Sequence, residues 1–178
     1  MMHQMISAGF GGQGVLLLGQ LLAYAGMDEG KNVSWLPSYG PEMRGGTANC
    51  CVIVSDEEIG SPVVTEADAV VVMNRPSLSK YEGSVAPGGK LFINSSLISD
   101  KSTRDDIDVY YIPANEIADE LGNSRVANIV MLGAYLKVLD VVKPETLIKC
   151  LEKTLGEKKA HLIPMNEEAM KRGAECIK

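Results

Sequence analysis

Residues 9–14 read GFGGQG, and Gly9, Gly11 and Gly14 reproduce the G-x-G-x-x-G spacing of a dinucleotide-binding turn. The chemistry open to such a turn is the capture of an anion. Glycine adopts backbone angles that other residues reach only at a cost, and its missing side chain lets a ligand approach the main chain. The unpaired N–H groups at the start of the following helix then point at that ligand, and each negative group gains roughly 0.3–1 kcal/mol from the helix dipole. A phosphate-bearing ligand is therefore expected at Gly9, Gly11, Gly12, Gln13 and Gly14.

The part of the motif that selects a nicotinamide dinucleotide is missing. A dinucleotide fold places Asp or Glu about 20 residues further on, at the end of its second strand, to hold the ribose hydroxyls. Here that strand reads NVSWLP and its end offers Leu36, Pro37 and Ser38, while Asp28 and Glu29 precede it. The glycine spacing alone is a weak signal, and without its acidic partner it argues against NAD or NADP.

The next stretch, residues 36–50, reads LPSYGPEMRGGTANC. It gathers Tyr39, Glu42, Arg44, Gly45, Gly46, Thr47 and Asn49 directly after a strand end, where ligands of open α/β sheets bind. Arg44 carries a fork of donors suited to a carboxylate or a phosphate. Two readings stand side by side: a ligand-facing or subunit-facing surface, or a loop closed on itself by a Glu42–Arg44 pair.

The elements that must position these residues alternate between strand and helix. Strands are expected at residues 3–9, 32–37, 47–56, 67–74, 89–96 and 109–113. The run ADAVVVMN is almost wholly apolar, as in a strand covered on both faces. Helices are expected at 14–29, 76–85, 113–122, 125–142, 144–155 and 165–177, with Pro76 and Pro144 in first turns and Gly122 as a stop. The helix at 125–142 carries Ala127, Gly133 and Ala134, small residues that permit close backbone approach, so it lies either across the sheet or beneath a neighbouring chain. Arg125 and Asn128 open this helix; they are either further members of the same surface or simply helix-start charge and packing. Together the pattern implies one domain over residues 1–178, a three-layer α/β/α Rossmann-like fold with a mostly parallel sheet of undetermined strand order.

Composition bounds the function. A chain of 178 residues with 46% hydrophobic and 22% charged residues is long and apolar enough to bury a core. A net charge of −6 argues against nucleic acid or an anionic membrane as partner. No targeting segment is visible, and the longest apolar run is too short to span a bilayer, which points to the cytoplasm. Cys50 and Cys51 are neighbours on a strand and would face opposite ways, and no C-x-x-C run occurs. Four buried, reduced thiols are expected, with no cluster or metal site. The nine methionines either fill core gaps or mark an adaptable surface.

GFGGQGV followed by PSYGPEMRGGTANC resembles the gamma subunit of 2-oxoacid:ferredoxin oxidoreductases, and NEIADELGNSRVANIVMLGAYL resembles the helical region of the same family. The likeness spans about residues 4 to 175, and its YGPEMRGGTANC wording is nearest to 2-oxoglutarate-type enzymes, then to branched-chain 2-oxoacid enzymes. It implies a chain without cofactor of its own in a complex with alpha, beta and, where present, ferredoxin-like delta subunits, and with ferredoxin as acceptor. That complex would use thiamine diphosphate, Mg2+, iron–sulfur clusters and coenzyme A to turn a 2-oxoacid into acyl-CoA and CO2. The same likeness puts the glycine turn and the 39–49 stretch on the coenzyme A or subunit-facing side, and assigns no catalytic residue to this chain. Two other readings remain: a free-standing NAD(P) oxidoreductase, and a non-catalytic coenzyme A or nucleotide-binding module.

Overall fold

A computed structural model describes residues 1–38 and 47–178; residues 39–46, which carry Tyr39, Glu42, Arg44, Gly45 and Gly46, lie outside the described residues. Six strands form one sheet: β1 Met2–Phe10, β2 Asn32–Ser38, β3 Thr47–Ser55, β4 Ala67–Val72, β5 Val85–Asn94 and β6 Asp108–Ile112, in the order β2-β3-β1-β4-β5-β6. The pairs β1–β4, β4–β5 and β5–β6 are parallel, whereas β3 runs antiparallel to both β1 and β2. Five strands therefore share one direction and β3 alone is reversed. The expected mostly parallel, three-layer fold is found, with one antiparallel strand inserted beside the first.

The helices are unequally shared between the faces. Helix α1 (Val15–Asp28) places Val15, Leu18, Leu21, Leu22 and Ala25 on β1, β2 and β3, with the near-helical spacing of a buried stripe. On the same side lie α3 (Ala114–Glu120), α4 (Ala127–Val138), α5 (Pro144–Leu155) and α6 (Ile163–Glu175). Among the described residues, the opposite face receives α2 (Arg75–Tyr81), a short 3-10 turn at Glu82–Ser84, and connecting segments that contribute Val64 and Ile98. Asn74 caps α2 by accepting from the Ser77 N–H at 2.9 Å, and Pro76 sits in its first turn.

Helix α4 is buried on every side from Ala127 to Leu136, which is why its sequence shows no polar stripe. It lies across the sheet, with α6 as its outer cover rather than a neighbouring chain. Gly133 abuts the Met170 backbone and Gly173 abuts the Val130 backbone, so each glycine admits the other helix's main chain. The helix ends at Val138, four residues earlier than expected, because Leu139 turns extended and Val141 and Val142 fold back into the core. Lys31 Nζ donates to the Val141 carbonyl at 2.6 Å, and Glu29 accepts from the Lys143 N–H at 2.7 Å, fixing this return against the exit of α1. Two other expectations shift: β5 starts at Val85 rather than 89, and the helix expected over 76–85 tightens into the 3-10 turn after Tyr81.

Cys50 and Cys51 do face opposite sides of the sheet, Cys50 packing under α1 and Cys51 on the α2 side. The thiols are free, but only Cys50 and Cys150 are buried; Cys51 and Cys176 are half-exposed, since their strand and helix positions lie at the margins of the two cores.

Candidate functional site

Strands β1, β4, β5 and β6 all end at the same edge of the sheet, and the glycine turn opens there. Helix α1 leaves β1 on one face toward β2, while α2 leaves β4 on the other face toward β5. The crevice outside the ends of β1 and β4 is thus the topological switch point, the place where open α/β sheets receive ligands. Sequence order alone did not reveal it, because β3 returns to pair with β1.

Within the turn, Gly14 is the N-cap of α1 at φ 77°, and Gly12 stands at φ 93° with open space around the position a side chain would take. Both lie in the left-handed region that favours glycine. No side chain caps α1, so its first N–H groups after Gly14 are left to the space above the turn. Gly9 does a different job. A side chain there would press on Val15, Met73 and the Gln13 amide. Gln13 itself turns inward: its Oε1 accepts from the Phe10 N–H at 2.6 Å and its Nε2 donates to the Met73 carbonyl at 3.3 Å. It braces the turn against the end of β4 rather than reaching outward. Gly11 is exposed.

Asn128, far along the chain, is brought directly under this turn. It is buried, and its Nδ2 donates to the Gly14 carbonyl at 3.1 Å, so α4 holds the turn from below. Arg125, three residues earlier, is exposed at the same end of α4. Ser38 and Thr47, which flank residues 39–46, also reach this edge: Thr47 pairs with Phe10, and Asn49 pairs with Ala8 and Ser38. Asn49 is half-buried on the α2 side of the sheet.

Sequence reasoning missed an amide network at the ends of β4 and β5. Asn94, fully buried, donates to the Asn115 Oδ1 at 2.7 Å and to the Met73 carbonyl at 3.4 Å, the same carbonyl that Gln13 meets. Ser96 Oγ accepts from the N–H groups of Asn115 and Glu116 at 3.1 Å, capping α3. Asn74 is 2% exposed, and its Nδ2 has no partner among the described residues. The signal was legible: VVVMN and LFIN each place one asparagine directly after an apolar strand, where a buried polar group must find partners.

The edge is rich in donors and poor in catalysts. Behind the turn, burial pushes the Cys50 thiol up to about 12, and its Sγ donates to the Val15 carbonyl at 3.5 Å, so it stays a neutral thiol and supplies no nucleophile. Among the described residues, no three His, Cys, Asp or Glu side chains gather as metal ligands would. The ribose hook is absent for a spatial reason as well: β3 lies between β1 and β2, so the end of β2 is two strands from the glycine turn. Asp28 and Glu29 are engaged with α5 and its approach, Asp28 accepting from Cys150 and pairing with Lys153 at 3.5 Å. No helix among the described residues is long and apolar enough to cross a membrane. A groove of about 870 Å³ lies elsewhere, between α4, α5 and α6, with an apolar floor of Leu136, Ile148 and Met170 and a rim of mixed charge.

Known proteins resemble this chain over most of its length. The chain is 41% identical over 169 residues to the ketoisovalerate oxidoreductase subunit VorA of Methanothermobacter thermautotrophicus, covering 94% of this chain and 35% of that one. It therefore spans about a third of the length of that relative. It is 37% identical over 147 residues to the 2-oxoglutarate synthase subunit KorC of Methanocaldococcus jannaschii, covering 81% of this chain and 79% of that one. In three dimensions it matches the gamma subunit of a keto/oxoacid ferredoxin oxidoreductase from Geobacter sulfurreducens with a TM-score of 0.83 and 30% identity, over 98% of this chain and 97% of that chain. Residues 4–176 match the family described as pyruvate ferredoxin/flavodoxin oxidoreductase, and this chain belongs to that family.

Proposed function

We propose that this chain is the gamma-type component of a cytoplasmic, multi-subunit 2-oxoacid:ferredoxin oxidoreductase. The reaction joins a 2-oxoacid and coenzyme A to give acyl-CoA and CO2, with two electrons passing to ferredoxin. Companion alpha and beta chains, with a ferredoxin-like delta chain where present, carry thiamine diphosphate, Mg2+ and the iron–sulfur clusters. Among the described residues, the adjacent Cys50 and Cys51 face opposite sides of the sheet, an arrangement that does not suit an iron–sulfur cluster. The contribution of this chain is to bind and orient an anionic part of coenzyme A.

One observation carries the reading: an uncapped helix start and the open Gly12 stand at the switch point, held from beneath by Asn128, beside buried amides. Main-chain N–H groups of Gly11, Gly12, Gly14 and the first turn of α1 receive a phosphate, with the helix dipole adding to their attraction. Arg44, with its neighbours Tyr39, Glu42, Gly45, Gly46, Thr47 and Asn49, completes the coenzyme A or subunit-facing side, and Arg125 flanks it. The oxoacid is 2-oxoglutarate, following the wording of residues 39–50. A branched-chain 2-oxoacid is the second reading, favoured by the 41% identity to a ketoisovalerate subunit.

Anaerobic purification of the tagged chain from its own cells tests this. Companion chains that bind thiamine diphosphate and clusters are expected, and ferredoxin reduction is compared with 2-oxoglutarate and with 2-ketoisovalerate. Arg44→Ala should weaken coenzyme A use or assembly while leaving the isolated fold within about 0.5 kcal/mol. Nicotinamide-dependent turnover by the isolated chain would overturn the proposal.

A further inference from the structure

The amide network at the ends of β4 and β5 has a direction. Asn94 Oδ1 accepts from the Ser96 N–H at 3.3 Å, Asn115 Oδ1 from Asn94 Nδ2 at 2.7 Å, and Gln13 Oε1 from the Phe10 N–H at 2.6 Å. Ser96 Oγ accepts the N–H groups of Asn115 and Glu116, which takes up both of its lone pairs. The oxygens are thus engaged inward, and what is left over is hydrogen. The Asn115 Nδ2 group and the Ser96 hydroxyl proton have no acceptor among the described residues. Both residues are half-exposed, so a ligand can reach these donors. Asn74, which follows Met73, adds a buried Nδ2 that also lacks a partner, and an unspent donor in such a place calls for an acceptor.

Charge narrows what this surface takes. Every member of the network is neutral, and no charged side chain among the described residues hydrogen-bonds to it. The next residue of α3, exposed Glu116, is an acid. A carboxylate is ordinarily met by a cation, so neutral donors beside an acid suit an uncharged carbonyl oxygen. Position narrows it further. The network runs from Gln13 in the glycine turn through the Met73 carbonyl and Asn94 to Asn115. Asn94 closes β5, which stands two strand spacings, about 10 Å, from β1.

We propose that Asn115 and Ser96 form a second subsite, which binds an amide carbonyl of the pantetheine arm as that arm runs from the glycine turn across the ends of β4 and β5. The inference rests on the coenzyme A reading above. Coenzyme A joins a diphosphate to an uncharged arm that carries amide groups, so a ligand with its phosphate on the turn brings neutral carbonyls within this span. Asn115 Nδ2 and the Ser96 hydroxyl donate to one such oxygen. Asn94 holds the Asn115 oxygen inward, which keeps the donor side of the amide toward the ligand.

Hydrogen exchange on the wild-type complex recovered from its own cells tests the subsite, with coenzyme A and with ADP, which shares the diphosphate and lacks the arm. At saturating ligand, residues 9–16 should exchange at least about tenfold more slowly with either ligand, and residues 95–116 only with coenzyme A. Protection of 9–16 by both ligands with no response in 95–116 overturns the inference and leaves the coenzyme A reading intact. No protection of either segment overturns both. Asn115→Asp gives the second readout, because it keeps the oxygen that Asn94 holds and replaces the outward donor with a carboxylate oxygen. It should raise KM for coenzyme A about tenfold, with KM for the 2-oxoacid and inhibition by ADP as in the wild type. An unchanged KM for coenzyme A overturns the inference. A rise in KM for the 2-oxoacid in its place makes the oxoacid carbonyl the occupant and overturns the inference as stated. Should Asn115→Asp fail to fold, the wild-type exchange pattern decides alone.

Discussion

Gly133 and Gly173 lie where α4 and α6 touch main chain to main chain, and the exposed Gly11 and Gly12 lie where main chain faces open space. The same residue type serves opposite ends. In the helical layer, absence of a side chain lets two backbones meet, so space is removed. At the end of β1 it leaves a hollow lined by N–H groups, so space is kept. The first use is structural and insensitive to ligands; the second costs backbone freedom and gives nothing back until something binds. Only the surroundings separate them, and both pairs look alike in a sequence.

The largest effect should come from filling the helical contact. Gly173→Ala drives a methyl group into the Val130 carbonyl, and backbone cannot yield as a side chain can. A loss of about 3 kcal/mol or more is expected, read by calorimetry as a midpoint lower by roughly 6–12 °C. A stable Gly173→Ala protein would erase the contrast. Asn128→Ala comes next. It strips the Gly14 carbonyl of its buried donor at about 1–2 kcal/mol, and in the proposed complex should raise KM for coenzyme A more than it changes kcat. Gly12→Ala should cost about 1 kcal/mol through left-handed strain alone, since nothing lies where its methyl would go. Its larger signature should be weaker coenzyme A use, which a purely structural turn would not show.

The smallest effect probes a region that neither set of glycines touches. At the far edge of the sheet, buried His3 hydrogen-bonds the Tyr135 hydroxyl of α4, and burial lowers the His3 pKa below its ordinary 6.5, with Asp68 opposing. The folded protein therefore holds His3 neutral where an unfolded chain would already protonate it. Stability is whole above about pH 6.5 and declines as pH falls through and below that value. Urea midpoints at pH 8 and pH 5.5 measure the decline, and His3→Gln should flatten it without altering coenzyme A binding.

These regions also differ in how far they could be read in advance. Strand–helix alternation, the bounds of α5, and the turn before α1 follow from local signals: apolar period, Pro at a first turn, glycine at a strand end. The amide network announced itself only as two asparagines after apolar strands, with no indication that Asn94, Gln13 and the Met73 carbonyl would meet. The early end of α4 was hidden because Leu139, Val141 and Val142 continue the apolar run of the helix while folding back from it. Cys51 and Cys176 were read as buried because hydrophobicity does not reveal where a core stops.

Local chemistry settled which pieces form and that a glycine turn opens α1, because hydrophobic period and backbone preference act over a few residues. Strand order was decided only by the fold. Insertion of reversed β3 carried the end of β2 away from the turn, opened the switch point between β1 and β4, and set Asn128 beneath Gly14 across 114 positions of chain. Such long-range pairing depends on which faces find partners to bury against, a property of the whole packed chain that no short stretch encodes.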